Sequence, residues 1–589
     1  MSGDFIQKDV IKKKLTYGAF LKRVFPYFVQ EKSLGIFVFS LIIVSLFVGR
    51  AIPLLIGYIV DLLRSKDLQA VYTMGFIFLG VRLLDSFFEY FINFKVNQFG
   101  NRVLYNIREK VMVHLQALPI SYFDRTPVGR TVTRITNDVL SLGVVLTQGL
   151  TGVILNLFEV IAVLVTLTAL SPTLTGITLV FVPFATWVTL SISLKLRHVF
   201  QESKKKMAAI NTYTAETFNG IKVVQLYNLE SVRRKFLKNL SKEKLNLDLE
   251  SVKYFAQLWP LMSFFNYFTI SMALFFGAYY YDEFGFTVGK ISSYLFLLQS
   301  LFPPLRNLLE RFNQYQDALA GADRVFQLLD EKEEKGLDLP FSDAKLRGAI
   351  EFRNLFFRYS PHTKYVLKDI NLKIRPGESV ALVGRTGSGK TTITSLIQRY
   401  YDYEEGEILI DDKPLREYSP LTVRSRVGIV MQDNFIFRGT IKSNVTLADE
   451  KMDESVVRKA VRQAHCHQII ESRPEGLNAQ VEERGANLSA GEKQLISFAR
   501  ALAHNPDILI LDEATANIDS NSEKLIQQSI EEITANRTSL IIAHRLSTIL
   551  HCDRIVLLEN GRIIEQGSHS ELIQQKGAYW DLYQSQFQH

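Results

Sequence analysis

Six long apolar runs in the first half of the chain limit what this sequence can fold into. Each reaches or exceeds the length of about 20 mostly apolar residues that an α-helix needs to cross a bilayer. From about residue 345 the pattern changes to that of a soluble α/β protein. The sequence therefore predicts six membrane-spanning helices followed by a soluble domain. The runs are Leu34–Val60, Val71–Phe94, Val144–Leu170, Leu174–Leu194, Phe255–Tyr281 and Ile291–Leu309.

The connections between these runs differ in length and charge. Short links follow the first, third and fifth runs, whereas the links after the second and fourth are long, helix-like and rich in lysine and arginine. Cytoplasmic loops of membrane proteins carry an excess of these two residues. We therefore expect both termini, the long links and the soluble domain in the cytoplasm. Because this topology accounts for the net charge of +8, we predict no nucleic-acid partner.

The segment before the first run is basic and contains a short amphipathic stretch at Tyr17–Val29. A helix lying on the inner leaflet and a solvated tail that enters the first span are both compatible with it. We divide the chain into a cytoplasmic segment at 1–31, a transmembrane domain at 32–325, a linker at 326–348 and a soluble α/β domain at 349–589.

Charged residues inside the second and third runs are candidates for a polar path through the membrane domain. Arg82, Asp85 and Glu89 are spaced so that they share one helical face, and the third run adds Glu159. Charges at membrane depth are costly and normally face a polar interior. One interpretation is structural pairing of Arg82 with Asp85, one turn away. The other is a face that lines a translocation path, and the sequence leaves both open.

The soluble half contains an apolar strand, a glycine-rich turn and the start of a helix, in ESVALVGRTGSGKTTITSLI. Its residues fit the phosphate-binding pattern G-x-x-x-x-G-K-[ST], in which backbone N–H groups hold phosphates, the lysine reaches the β- and γ-phosphates and the hydroxyl binds Mg²⁺. The sequence thus predicts ATP and Mg²⁺ as cofactors. The nucleotide-binding candidates are Gly384, Arg385, Thr386, Gly387, Ser388, Gly389, Lys390, Thr391 and Thr392.

A second apolar strand ends in two acids, in DILILDEATANID. Asp512 suits the binding of Mg²⁺, directly or through water, and Glu513 suits a base that polarises the attacking water. Phosphoryl transfer needs both a metal clamp and an oriented nucleophile. The two acids therefore predict nucleotide hydrolysis.

With these motifs in place, the chain resembles a half-transporter of the ATP-binding cassette (ABC) exporter family over nearly its whole length. Tyr359 in FFRYS resembles the aromatic residue that stacks on adenine, and Gln432 in VMQDNFIF resembles the glutamine that senses Mg²⁺ and the membrane domain. Asp519 in TANID resembles the D-loop aspartate, and His544 in IIAHRLST resembles the switch histidine that contacts the γ-phosphate. The resemblance implies a six-helix, all-α transmembrane domain fused to a cytoplasmic α/β P-loop ATPase domain. The implied catalytic residues are Glu513, His544 and Gln432, and the implied Mg²⁺ contacts are Thr391, Gln432 and Asp512.

The long links also match the family. LPISYFDRTPVGRTVTRITND resembles its first coupling segment, and FNGIKVVQLYNLE resembles its second. In the family these cytoplasmic loops dock on the ATPase domains and carry their motion to the spans.

The turn NLSAGEKQL resembles the family signature, usually LSGGQ. In the family two ATPase domains meet head to tail, so the resemblance implies that Ser489 and Gly491 contact a nucleotide held by a second half-transporter subunit. Ala490 replaces a glycine of the signature and Glu492 its glutamine, and Glu482 stands where the family often has glycine. Glu492 would either repel phosphate or bond a ribose hydroxyl. The intact catalytic acid beside an altered signature favours one subunit of a heterodimer, and a homodimer that tolerates LSAGE is the alternative.

The resemblance implies ATP-driven export of amphipathic small molecules or lipids across a bacterial-type inner or plasma membrane. A homodimeric lipid flippase is the alternative, and a channel or sensor gated by ATP is a third interpretation. The intact Glu513 and His544 favour turnover over gating alone.

Overall fold

A computed structural model describes residues 17–144, 146, 151–280, 286–512, 520–534, 537–543 and 546–587. Within these residues the chain forms two compact units. The first comprises the described residues of Met1–Leu115 and Val128–Glu331 and is built from helices. The second comprises the described residues of Gln116–Pro127 and Lys332–His589 and contains the described strands.

Long helices dominate the first unit. Five described helical segments are long and apolar enough to cross a membrane, and they contain most of the first five predicted spans: Lys32–Ser65, Leu68–Gln116, Gly152–Leu170, Pro172–Asn219 and Glu230–Tyr279. The helices are α1 Tyr17–Gln30, α2 Lys32–Ser65, α3 Leu68–Gln116, α5 Val128–Thr133, α6 Val139–Val144, α7 Thr151–Leu170, α8 Pro172–Leu179, α9 Phe181–Asn219, α10 Ile221–Leu226, α11 Glu230–Tyr279 and α12 Val288–Leu329. A π-helical turn, Arg134–Asp138, joins α5 to α6, and the short helix α4, Ile120–Arg125, lies in the second unit.

The sixth predicted span lies in α12, which is not among these five segments of the described chain. α12 packs against α2 and α7. Its side chains Leu297, Leu298 and Leu301 are buried, and the hydroxyl of Tyr294 forms a 2.8 Å hydrogen bond with Thr178 Oγ1. A helix that packs on several neighbours needs fewer apolar side chains for contact with lipid. That α12 spans the membrane stays a prediction.

α2 and α12 meet closely at the end where α12 begins. Asp61 of α2 accepts hydrogen bonds from Gly289 N at 2.8 Å and from Thr287 Oγ1 at 2.6 Å. The carboxylate thus satisfies a backbone N–H that the first turn of a helix leaves unpaired. An ideal Cβ on Gly289 would lie 2.0 Å from the Gly57 carbonyl oxygen. The contact therefore leaves no space for a side chain at Gly289.

α1 occupies the amphipathic stretch near the N-terminus. Phe20, Val24 and Tyr27, spaced at about one helical turn, are buried in the first unit, while Leu21 and Phe25 are exposed. The helix thus has one apolar face packed on protein and further apolar side chains outside that face. Its position on an inner leaflet stays a prediction.

Two larger sheets and one small sheet form the second unit. The strands are β1 Ile350–Phe357, β2 Leu367–Ile374, β3 Ser379–Val383, β4 Glu405–Ile410, β5 Lys413–Pro414, β6 Val427–Val430, β7 Gly439–Thr440, β8 Gln480–Val481, β9 Ile508–Asp512, β10 Thr538–Ile542, β11 Arg554–Glu559 and β12 Arg562–Gly567. The six-stranded sheet has the order β12-β11-β3-β10-β9-β6 and is parallel from β11 to β6. An antiparallel sheet has the order β2-β1-β4-β5, and β7 pairs with β8.

Helices cover the six-stranded sheet, so its central strands are buried on both faces. In β9, Leu509 and Leu511 pack into one hydrophobic core, while Ile508 and Ile510 pack into the other. This alternation explains why parallel strands read as continuous apolar runs in the sequence. The helices are α13 Lys390–Ile397, α14 Pro420–Arg426, α15 Ile441–Thr446, α16 Glu454–Gln463, α17 His467–Glu471, α18 Ala490–Ala503, α19 Ser520–Thr534, α20 Leu546–Leu550, α21 His569–Gln575 and α22 Ala578–Phe587.

The segment Gln116–Pro127 belongs to the second unit although it lies between membrane helices in the sequence. Glu334 N donates to the Ala117 carbonyl oxygen at 2.8 Å, and the Tyr401 hydroxyl donates to the carboxylate of Asp124. The sequence predicts this segment within a continuous transmembrane domain at 32–325. The division into compact units departs from that prediction, since these bonds join the segment to residues beyond 331.

Candidate nucleotide site

Four strand ends bring the predicted phosphate-binding residues to one edge of the six-stranded sheet. β3, β10, β9 and β6 are neighbours and run parallel, with Ile542 opposite both Leu382 and Asp512. The chain leaves β3 into the glycine-rich loop, β9 ends at Asp512, and Gln432 follows β6 closely. In open α/β sheets ligands bind outside the carboxyl ends of parallel strands. This edge is therefore the candidate site.

The glycines of the loop after β3 are required by its geometry. Gly384, Gly387 and Gly389 have φ angles of +149°, +82° and +109°, which disfavour residues with a Cβ. A Cβ at Gly384 would lie 2.2 Å from the Leu558 carbonyl oxygen, and one at Gly389 would lie 2.6 Å from Leu367 Cδ2. At Gly387, no heavy atom of the described residues lies within 4 Å of a Cβ position. The loop is packed at two glycines and open at the third.

The side chains of the loop fit an anion. Lys390 begins α13 and is buried, and its Nζ donates to the carbonyl oxygens of Gly384 at 2.6 Å and Arg385 at 3.2 Å. Ser388 Oγ is buried with no hydrogen-bond partner among the described residues. A buried hydroxyl without a partner is costly, and a phosphate oxygen would satisfy it. The residues present therefore fit the phosphates of a nucleotide. Arg385, Thr386 and Thr391 are exposed.

Tyr359 lies two residues after the end of β1 and beside this loop. Its hydroxyl forms a 2.9 Å hydrogen bond with Thr392 Oγ1 in α13. Its ring packs edge-on against Tyr401, with centroids 4.8 Å apart, and against Phe357 at 5.0 Å. The side chain is 40% exposed. The aromatic residue predicted to bind the base is thus held next to the phosphate loop and remains accessible.

The other predicted residues of the site are only partly described. Asp512 is half-buried at the end of β9, and Gln432 is exposed after β6. Glu513, Asp519 and His544 lie outside the described residues. In the sequence Glu513 follows Asp512 directly, and His544 follows the end of β10 by two residues. Their roles stay predictions.

The signature turn begins α18 with a reciprocal cap. Ser489 Oγ accepts a hydrogen bond from Glu492 N at 3.2 Å, and Glu492 Oε2 accepts one from Ser489 N at 2.8 Å. Sequence reasoning missed this role of Glu492, although Ser-x-x-Glu before an apolar helix is a capping-box signal. The other carboxylate oxygen, Oε1, accepts a hydrogen bond from Arg473 Nη2 at 2.9 Å. Gly491 is buried, and Ala490 is not among the residues with positive φ, so its Cβ introduces no backbone strain.

The charged residues of the second predicted span lie together on α3 in the first unit. Arg82 Nη1 donates to Asp85 Oδ2 at 2.7 Å, which is the pair expected from the structural interpretation. Glu89 is exposed one helical turn further along. The pair does not decide between the two interpretations, and the translocation path stays a prediction.

Sequence reasoning missed a further member of this group, Arg50 of α2. Arg50 interacts electrostatically with Glu159 of α7 and with Asp85, and its Nη1 donates to Ser300 Oγ of α12 at 3.2 Å. Glu159 also experiences the charge of Glu89. Polar groups from four helices therefore meet in the first unit. The signal in the sequence was a single arginine within the first apolar run.

A helical membrane unit joined to a nucleotide unit with a phosphate loop defines a membrane-embedded P-loop ATPase. Comparison with known families narrows this class. The family described as "ABC transporter transmembrane region" matches residues 35–305, and the family described as "ABC transporter" matches residues 367–516.

Relatives match over most of the chain. The chain is 36% identical over 520 residues to the Bacillus subtilis protein YheH, named "Probable multidrug resistance ABC transporter ATP-binding/permease protein". That alignment covers 86% of this chain and 76% of YheH. It is 32% identical over 559 residues to the "ATP-dependent lipid A-core flippase" of Syntrophus aciditrophicus, covering 93% of this chain and 92% of the relative. A solved bacterial Atm1-family ABC exporter with ATP bound matches with a TM-score of 0.77 and 25% identity, covering 94% of this chain and 98% of that one.

The chain therefore belongs to the ABC transporters and is an exporter of the multidrug and lipid type. It is a membrane protein with a helical transmembrane domain and an ATPase domain whose ATP hydrolysis is coupled to transport. Exporters of this family work as dimers. The sequence prediction of the family, the fold class and the ATPase activity is confirmed.

Proposed function

We propose that this chain is one half of a dimeric exporter that moves amphipathic drug-like molecules or lipids across a bacterial inner or plasma membrane. Both termini and the ATPase domain face the cytoplasm. One observation carries the nucleotide part of the proposal: the buried Ser388 hydroxyl of the phosphate loop lacks a partner that a phosphate would supply. The names of the relatives, one a multidrug protein and one a lipid flippase, support the cargo class.

The residues at the sheet edge have complementary tasks in this proposal. Lys390 binds the β- and γ-phosphates, and the open backbone at Gly387 lies against phosphate oxygens. Tyr359 stacks on the base. Glu513 accepts a proton from the attacking water, and His544 binds the γ-phosphate.

Three residues of the site would hold Mg²⁺. They are the Thr391 hydroxyl, Gln432 and Asp512, oxygen donors of the kind that Mg²⁺ prefers. When bound, the ion neutralises charge on the phosphates. Asp519 completes the predicted set, and its task is to contact the opposite ATPase domain.

A transport measurement in proteoliposomes tests the export proposal. The purified dimer should move a fluorescent amphipathic cation or a labelled phospholipid in an ATP-dependent manner. A channel gated by ATP would instead pass cargo down its gradient with ATP bound and unhydrolysed. Movement that continues in the presence of a non-hydrolysable ATP analogue would therefore contradict export.

The second subunit of the dimer is proposed to be a different chain. The departure of Ala490 and Glu482 from the family pattern supports a distinct partner. Glu492 gives less support than the sequence suggested, because its carboxylate is bound within the cap and by Arg473. The homodimeric lipid flippase remains the second candidate. The pairing of Glu492 with Arg473 favours it, because the arginine neutralises the negative charge of the glutamate.

Purification from native membranes tests the identity of the partner. We expect the chain to copurify with a second half-transporter, and the pair to hydrolyse ATP faster than this chain purified alone. The reason is that the site on this chain's phosphate loop would then receive the partner's signature turn, which we expect to match the family pattern LSGGQ. The matched control is the isolated chain at the same concentration in the same lipid. A homodimer with full, cargo-stimulated turnover would overturn the proposal of a distinct partner.

The polar groups of the first unit are proposed to line the translocation path. Arg50, Arg82, Asp85, Glu89 and Glu159 carry two positive and three negative formal charges, so the group as a whole favours a cation. Charges within a membrane normally face a polar interior. Amphipathic cations are therefore the cargo that this surface would favour.

Glu89→Gln is expected to change the stimulation of ATP hydrolysis by cationic cargo about threefold or more, with a smaller effect on the basal rate. Because its carboxylate is exposed, Glu89 is the member of this charged group whose replacement should disturb the fold least. Glu109→Gln, on an exposed position further along α3, is the matched control. Equal losses of basal and stimulated rates would assign Glu89 a structural role instead.

A further inference from the structure

The Glu492 carboxylate in the signature turn is bound on both oxygens. Oε2 accepts a hydrogen bond from Ser489 N at 2.8 Å, and Oε1 accepts one from Arg473 Nη2 at 2.9 Å. The side chains of Glu492 and Arg473 are 25% and 22% exposed, so solvent screens this ion pair only in part. Arg473 is itself fixed, because its Nη1 donates to the Ile469 carbonyl oxygen at 2.9 Å. The arginine thus joins the end of α17 to the start of α18.

This arrangement changes what the turn presents to a nucleotide. A carboxylate without a partner in the first turn would place a negative charge where the N-terminus of α18 would otherwise attract an anion. Arg473 supplies the compensating positive charge. The neighbouring Cys466 contributes none, since burial raises the pKa of its thiol to about 12 and keeps it neutral.

The serine of the turn keeps its donor. Ser489 Oγ accepts a hydrogen bond from Glu492 N, and a hydroxyl can accept one bond and donate another. The O–H of Ser489 therefore remains available to a phosphate oxygen while the cap is intact. The cap in turn depends on the position of the Glu492 carboxylate.

We propose that Arg473 is a positioning residue for ATP hydrolysis, which neutralises and orients Glu492 so that the signature turn can bind the phosphates of a nucleotide. This inference rests on the proposed function, in which that nucleotide is held by the second subunit. Arg473 acts through Glu492 and Ser489 and does not itself touch the nucleotide. The arginine is what makes glutamate acceptable at this position of the signature.

The test is a pair of substitutions that separates charge from packing. Arg473→Gln leaves Glu492 without its cation, and we expect the KM for ATP to rise about tenfold, with a smaller change in kcat. Combining Arg473→Gln with Glu492→Gln removes the negative charge as well. The cap should survive this change, because a glutamine amide oxygen can still accept the hydrogen bond from Ser489 N. We expect the double variant to regain an ATP affinity within about threefold of the wild type. Radiolabelled ATP bound per dimer and steady-state phosphate release are measured on the full-length dimer in lipid.

Arg458→Gln provides the matched control. Arg458 also pairs with a glutamate, Glu454, with Nε and Oε1 2.9 Å apart, but on the exposed surface of α16. Its replacement should leave the KM for ATP unchanged. Arg473→Lys keeps the charge and should retain most of the affinity, which guards against general disruption of the fold.

Two results would overturn the inference. One is a wild-type KM for Arg473→Gln, and the other is a double variant as impaired as Arg473→Gln alone, which would make the Ile469 contact the reason for the arginine. Failure of the proposed function would give a different result, since the wild-type dimer itself would then hydrolyse no ATP.

Discussion

Replacing Lys390 by methionine is expected to lower ATP hydrolysis by the dimer about 10²–10³-fold, the usual cost of removing one group that stabilises the transition state. The amine now donates to the carbonyl oxygens of Gly384 and Arg385. A bound nucleotide offers it phosphate oxygens instead. Methionine keeps most of the length and volume of the buried side chain without the positive charge. Steady-state phosphate release and radiolabelled ATP binding measure the effect.

Lys413→Met is the matched control for this substitution. Lys413 is an exposed lysine of the same unit whose ammonium lies 4.7 Å from the centroid of the Tyr418 ring. Its loss should leave hydrolysis within about twofold of the wild type. If Lys390→Met bound and hydrolysed ATP at the wild-type level, the edge of the six-stranded sheet would not be the nucleotide site.

Glu513→Gln is expected to leave ATP binding nearly intact and to reduce turnover about 10²–10³-fold at the site built on this chain's phosphate loop. The amide keeps the size of the side chain but cannot accept a proton from the attacking water. The prediction follows from the position of Glu513 in the sequence, directly after Asp512. Binding and single-turnover hydrolysis should be measured on the same preparation, so that loss of chemistry is separated from loss of nucleotide.

Glu559→Gln, an exposed carboxylate at the end of β11, is the control for Glu513→Gln. A wild-type rate in Glu513→Gln would remove this residue from the role of base. Loss of binding in parallel with turnover would point to a structural role at the end of β9 instead.

The features of the site that are local in sequence were predictable. The phosphate loop has a fixed spacing and a fixed strand–turn–helix context, and the structure places it after β3 and before α13 as expected. Tyr359 was placed by its position before that strand. The parallel strands were readable because burial on both faces leaves continuous apolar runs, as in β9.

Contacts between distant residues were not predictable, because spacing carries no information about them. Tyr401 and Asp124 are 277 residues apart. The resemblance of the segment around Asp124 to a coupling segment predicts docking on an ATPase domain, but it does not indicate which residue is contacted. Arg50 escaped notice because its partners lie on other helices. The interpretation of Glu492 was incomplete for a related reason: the cap was visible in the sequence, but the pairing with Arg473 depends on how the segment after α17 lies beside the start of α18.

Hydropathy identifies the first five predicted spans clearly and the sixth less clearly. α12 combines buried leucines with serine, glutamine, asparagine and two prolines. Its apolar side chains pack against protein neighbours in α2 and α7. A helix in that position is recognised by its packing rather than by its average composition.

The assignment of Gln116–Pro127 to the second unit has a practical consequence for work on isolated fragments. A fragment cut out after α12, although it would carry every strand of the described chain, would omit α4 and with it the acceptors for Glu334 N and the Tyr401 hydroxyl. Tyr401 packs on Tyr359, so the missing piece borders the proposed base-binding position. Nucleotide affinities determined on such a fragment would describe a truncated fold, and supplying the 12 residues as a peptide would be the natural remedy.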